Sequence, residues 1–509
     1  MPFFCNSAII FIKNKQVMTI KRFAFISLIV FFLAGCISCS SPENPVKPAP
    51  GGEEKDNRAE KIELARRDLL RAMSLAAAAR TNYFSSDGTA MSRYYNPYTG
   101  LNSSEKGSVW MFTSAIEAVN SVLHGLTALR DAGDESFYNN YFSAYASMLS
   151  ELVENLKWYE GTYTLTSYTQ TKKWTVYGVN RASSPGKAAV EGRENVYDDQ
   201  QWLIRELIEA YRLTGVERYL EKAEYLAEYV IDGWDTTLDS EGKEHGGIVW
   251  GPGYYTKHSC SNGPFVSPLV WLSEIYSGKS DEVTYRYIGA NKARLTKQMN
   301  RGEYYLMYAK KVYDFQRSHL YRKSTGVYAD MLGAKGWGGD NIAYETVDGV
   351  RYRGHNEEES ATGEAYSYNS GTMLSGAADL YRVTGEQAYL DDMKSLSTSS
   401  FLYFAKKSAE RPGYYEYAID GFNNWFNGVL MRGWVDVSAH YGNVALNIGT
   451  FQSNLDYAWG NYLNKSMLPT SLLYGWNKDK SKNKVEAMFT FAYAAEYAVL
   501  AKWHLSQIE

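Results

Sequence analysis

The sequence predicts an all-α protein assembled from helical hairpins, and three observations carry that reading. Apolar residues recur at helical spacing from about residue 59 to the end of the chain. Alternating strand patterns are few and short, around residues 163–165 and 175–179. A helix end and the next helix start are repeated: residues 207–220 read LIEAYRLTGVERYL and residues 377–390 read AADLYRVTGEQAYL.

The N-terminal segment precedes this pattern and differs from it. Lys21 and Arg22 stand before the apolar run 23–33, broken only by Ser27, which ends in Leu33-Ala34-Gly35-Cys36. That run is too short for a stable membrane span and has the order of a signal peptide, assigned here to residues 1–35. A start at Met18 would make residues 1–17 a mis-called extension. The Leu-Ala-Gly-Cys ending resembles the lipobox of bacterial lipoproteins, which implies that Cys36 carries lipid and becomes the first mature residue. The alternative is an ordinary signal peptide with an incidental cysteine. Residues 36–58, rich in Ser, Pro, Gly and Glu and without period, read as a flexible tether. The expected location is a bacterial membrane, at the outer membrane or cell surface, held by the lipid alone.

The folded part is assigned to residues 59–509. Leu64, Leu69, Leu70 and Met73 open the helical spacing, and residues 114–129, 141–156, 202–213, 219–231 and 304–320 continue it. In the repeat, Tyr-Arg-x-Thr-Gly closes one helix and Tyr-Leu opens the next; the Gly suits a position with left-handed backbone. Residues 272–278 are a fainter third copy. A helical hairpin cannot bury its apolar face alone, so several must associate, and roughly 450 residues suit six of them. An open superhelix and a closed toroid both satisfy the periodicity.

Composition narrows the function. Lys and Arg total 53 against 57 Asp and Glu, which disfavours nucleic acid as the partner. The chain carries 43 Tyr, 13 Trp and 20 Phe, more flat rings with polar tips than helix packing needs, and such rings suit sugars. Of the four cysteines, Cys5 leaves with the signal and Cys36 takes lipid, so Cys39 and Cys260 remain and no disulfide framework is expected. The seven histidines are scattered without metal-ligand spacing, and no metal or organic cofactor is expected. There is no Gly-x-Ser-x-Gly elbow and no dinucleotide fingerprint. A monomer is expected.

The strongest local signal is Asn195-Val196-Tyr197-Asp198-Asp199-Gln200-Gln201-Trp202, two carboxylates where a long amphipathic helix begins. One reading is capping, since Asp198 and Gln201 have capping-box spacing. The other is chemistry: a retaining glycosidase needs two carboxyl groups roughly 5 Å apart, one a nucleophile and one an acid/base. The positive helix end favours a carboxylate, and mutual repulsion raises the proton affinity of one member.

Five motifs in order resemble those of glycoside hydrolase family 76, the endo-α-1,6-mannanase family. They are Tyr197-Asp198-Asp199 with the Trp202 helix; Gly246-Gly247-Ile248-Val249-Trp250; Ser261-Asn262-Gly263-Pro264-Phe265; Tyr366-Ser367-Tyr368-Asn369-Ser370-Gly371; and Phe426-Asn427-Gly428-Val429-Leu430-Met431-Arg432. Asn427 stands where the family often has Lys, and Ser370 where Gln is frequent. The resemblance implies an (α/α)6 toroid of six hairpins and a retaining endo-acting hydrolase of α-1,6-mannosidic bonds in α-mannan. It implies Asp198 as nucleophile and Asp199 as acid/base. Tyr197, Trp250, Asn262, Tyr368, Asn369 and, on a Gly-rich loop, Trp337 are the expected substrate-binding residues. Arg432 is expected to pair with a structural acid. Two other readings stay open: a transglycosidase of the same fold, and a catalytically silent glycan-binding lipoprotein. A toroid hydrolase of unsaturated uronides would need a basic site, which the balanced charge does not supply.

Overall fold

Two kinds of helix alternate along the chain, and their alternation builds the architecture. The computed structural model describes residues 53–333 and 341–508. The expected signal peptide, Cys36, nearly all of the tether and Trp337 lie outside the described residues. Residues Arg58–Glu509 form one compact unit.

The first kind of helix buries one face. It comprises α1 (Glu53–Tyr83), α3 (Glu135–Asn155), α5 (Glu217–Ile231), α7 (Arg301–His319), α9 (Gln387–Phe404) and α11 (Ala445–Tyr462). In α5, for example, Tyr219, Leu220, Ala223, Leu226, Ala227 and Val230 are buried and the acids and lysine between them face outward, the stripe expected of a surface helix. The second kind is buried on most sides. It comprises α2 (Val109–Asp131), α4 (Tyr197–Thr214), α6 (Val266–Ile275), α8 (Ser367–Thr384), α10 (Asn423–Ser438) and α12 (Ala487–Ser506). In α12 the buried residues run almost without break from Ala487 to Ala498, and a helix apolar all round belongs inside.

The buried helices form the inner ring. Helix α2 packs on α4, α4 on α6, α6 on α8, α8 on α10, α10 on α12, and α12 back on α2. The ring is therefore closed: an (α/α)6 toroid, the alternative that periodicity alone left open. Closure is reinforced where Tyr94 and Tyr95 pair antiparallel with Glu486 and Val485, joining chain separated by nearly 400 residues. Helices α8 and α10 meet through glycines. A Cβ on Gly371 would lie 2.5 Å from the Val429 carbonyl oxygen, and one on Gly433 would lie 2.4 Å from that of Gly371.

The repeat marks helix ends as expected. Gly215 ends α4 and Gly385 ends α8, each at φ 68°, with N–H groups donating to Tyr211 O at 2.7 Å and Tyr381 O at 2.8 Å. Gly278, closing the fainter copy after α6, has φ 73°. A hairpin of Glu160–Thr166 with Thr171–Tyr177 occupies the expected strand region. Two further hairpins were not expected: Glu282–Ile288 with Arg294–Asn300, and Tyr344–Val347 with Val350–Arg353. Among the described residues no helix is long and apolar enough to cross a membrane.

Candidate active site

The N-terminal ends of five inner helices, or the turns leading into them, open on one cleft of about 630 Å³. Ser108 and Trp110 come from the start of α2, Asp198, Asp199 and Trp202 from α4, and His258 and Cys260 from the turn before α6. Tyr366 and Tyr368 come from α8, and Phe422, Asn423 and Phe426 from α10. Helix N-termini carry unpaired N–H groups and partial positive charge, so their convergence favours carboxylates in the cleft. Among the described residues six line it, Glu194, Asp198, Asp199, Asp330, Glu364 and Asp420, and Arg193 is the only Lys or Arg that does.

Helix α4 sets the paired aspartates. Its N-cap is Val196, in extended conformation and without a side-chain cap, so the capping-box reading of Asp198 does not hold. Both aspartates sit inside the first turn. That turn is pinned from three sides. Tyr197 N–H donates to Trp250 O at 2.8 Å; Gln200 bonds both backbone groups of Tyr177 at 2.7 and 3.2 Å; Gln201 Nε2 donates to Ser261 O at 2.7 Å. Asp198 is half-buried and Asp199 only 6 % exposed.

Their environments separate them. Burial pushes the Asp198 carboxyl up to about 6, opposed by hydrogen bonds from the Cys260 thiol, the Asp199 amide and the Trp250 indole. Burial and then the charge of Asp198 push Asp199 well above the usual carboxylate range. One proton shared by the pair therefore resides on Asp199, while Asp198 is the member equipped to be ionised. Burial also lifts Asp330 to about 6 and holds His258 down at about 4, neutral at physiological pH.

The other expected site residues divide. Trp250 and Tyr368 line the cleft, as does Trp202. Tyr197 does not: it is 1 % exposed and packs on the Tyr229 ring 5.0 Å away, under the floor. Asn262 and Asn369 are fully buried and do not reach the cleft. Arg432 pairs with Glu117, which also accepts from Trp425 Nε1 at 2.9 Å, and Trp425 in turn meets Trp202 edge-on at 4.8 Å. The structural reading of Arg432 holds.

The family model for glycosyl hydrolase family 76 matches residues 90–281 and 289–502. The chain belongs to glycosyl hydrolase family 76. A family 76 mannosidase from Bacteroides thetaiotaomicron superposes with a TM-score of 0.62 at 22 % identity, covering 86 % of this chain and 98 % of that one. An α-1,6-mannanase from Salegentibacter sp. superposes with a TM-score of 0.55 at 18 % identity, covering 86 % and 99 %. An inactive variant of that mannanase, with two consecutive aspartates replaced by alanine, has been solved with α-1,6-mannotetrose; it superposes at 0.56 and 18 %, covering 86 % and 99 %. No curated protein matches the chain.

In this family 76 protein the buried Asn262 acts as a brace. Asn262 accepts from Ile248 N–H at 2.8 Å and donates to Ile248 O and His258 O at 3.0 and 2.8 Å. That clamp holds the 246–250 loop, whose Trp250 meets Asp198. Reading the sequence also missed Asp330, Glu364, Asp420, Trp110 and Phe422. A signal was present for the last two: an aromatic at the first turn of an apolar helix, as Trp202 is. The loop acids gave none, because long connections set their place.

The histidines are not all scattered. Asp235, His245 and His355 bring ligand atoms within 4.8 Å of one another, and the two imidazoles stack 3.6 Å apart. The Asp235 oxygens are already engaged by Lys257 at 3.1 Å, His355 at 2.8 Å and the Thr237 hydroxyl at 2.5 Å. Burial opposes the Asp235 charge, but Lys257 and His355 outweigh it and hold the carboxyl below its usual range.

Proposed function

We propose that the protein is a retaining, endo-acting hydrolase of α-1,6-mannosidic bonds in α-mannan. The observation that carries this reading is the pair of consecutive carboxylates, of unequal proton affinity, on the floor of an aromatic cleft. Adjacent positions on one helical turn suit the roughly 5 Å separation of a retaining pair better than the wider gap that inversion needs for a water. Asp198 attacks the anomeric carbon, and Asp199 gives its proton to the departing sugar oxygen. The glycosyl ester that forms has no charge, so the repulsion that raised Asp199 disappears and its carboxylate becomes the base for the incoming water. Trp202, Trp250 and Tyr368 offer ring faces to the sugars. The acidic lining favours a neutral glycan over a uronide.

The mannan assignment is supported by the Salegentibacter α-1,6-mannanase and its mannotetrose complex. We place the enzyme as a monomer at the outer membrane or cell surface, held by lipid on Cys36. Incubation with unbranched α-1,6-mannan, followed by sizing of the products, should give a ladder of short oligosaccharides, and Asp198→Ala should give none while remaining folded. An intact polymer after incubation with the wild type, or unchanged turnover in the variant, would contradict the reading.

A further inference from the structure

A second hollow of about 420 Å³ opens off the catalytic cleft and shares Glu364, Tyr366, Asp420 and Asn423 with it. Its size lies in the range of small-molecule sites, roughly 300–1,000 Å³. Tyr403, 37 % exposed, and the half-buried Tyr417 present rings there beside Lys406 and Glu416. The hollow adjoins a third, of about 150 Å³, at Glu416, Tyr417 and Asn427, which line both. The floor of that third hollow includes the buried side chains of Phe451, Asn454, Tyr493 and Glu496.

Two features describe its occupant. The groove opens off the cleft beside Glu364, Tyr366, Asp420 and Asn423 and reaches the buried side chains of Phe451, Asn454, Tyr493 and Glu496. A backbone follows the cleft that holds the aspartates, and a branch on it needs a side opening of this kind. Second, Glu496 is 3 % exposed and makes no hydrogen bond or ion pair among the described residues, although it lines the hollow. A buried carboxyl without a partner is costly, and a sugar hydroxyl satisfies it. Burial, then the nearby Glu117, pushes Glu496 well above the usual carboxylate range, so it enters this exchange neutral, as donor and acceptor.

We propose that this side groove holds a short neutral glycosyl branch, so that the enzyme cuts mannan whose backbone sugars carry side chains near the scissile bond. The proposal rests on the hydrolase reading above. Its test compares kcat/KM on unbranched α-1,6-mannan and on the same backbone bearing short α-linked mannosyl branches, for the wild type, Ala418→Trp and Glu496→Leu. Ala418 is exposed and lines the groove, so tryptophan there fills it without entering the core. Wild type should cut both polymers. Each variant should lose about tenfold or more on the branched polymer, a penalty near 1.4 kcal/mol, and stay within about twofold on the unbranched one. Wild type that cuts only the unbranched polymer overturns the branch groove and leaves the hydrolase reading standing. Equal losses on both polymers overturn it too, by making the groove a backbone site. Failure to cut either polymer removes the hydrolase reading and this proposal with it.

Discussion

Adjacent aspartates at one helix turn feel different surroundings. Asp198 faces three donors that favour its charge; Asp199 faces burial and its neighbour's negative charge. In the proposed mechanism turnover needs Asp198 ionised and Asp199 protonated. As pH rises through about 6, Asp198 loses its proton and the nucleophile appears, so kcat/KM should rise there. At higher pH Asp199 loses its proton and the rate should fall. A profile measured from pH 4 to 9 that is flat, or falls through its acidic limb, would contradict this division of roles. At this scale the acidic pair of the cleft was legible because two acids at a helix entrance are a local pattern. The roles of Tyr197, Asn262 and Asn369 were not, because motif membership does not say on which side of the cleft wall a side chain lies. The structure puts all three behind it, and the bonds of Asn262 show that a motif residue can serve the site by bracing it.

Helix ends were the most legible elements. The Tyr-Arg-x-Thr-Gly repeat is a local conformational requirement, and Gly215 and Gly385 meet it with the same φ. The two missed hairpins, 282–300 and 344–353, carry charged and polar residues on both faces in part, which dilutes the alternation. Gly371 of the fourth motif, and Gly433 just past the fifth, have a packing reason visible only in three dimensions: α8 and α10 touch backbone to backbone there. Gly371→Ala therefore forces apart two helices that carry Tyr368 and Phe426 into the cleft. It should lower stability by about 1–3 kcal/mol, the usual cost of overpacking, read as a lower urea midpoint. An unchanged midpoint would mean that the contact is not tight.

The whole molecule turns six hairpins into a chemical site by closing the ring. Periodicity could not choose between a superhelix and a toroid, because the deciding contact, α12 on α2, joins segments some 370 residues apart. Closure brings five helix starts to one cleft, and only there do Asp198, Asp199 and the rings from α2, α4, α8 and α10 face the same volume. In the proposed mechanism Asp198 forms the bond to sugar within this cleft and Asp199 moves the proton. This is tested most directly with Asp199→Ala and an α-1,6-mannobiosyl fluoride, whose leaving group needs little protonation. Lacking the base that frees the sugar, the variant should accumulate a covalent adduct, seen by intact-protein mass and located to Asp198 by peptide mapping. An adduct on another residue, or none while fluoride is still released, would contradict it.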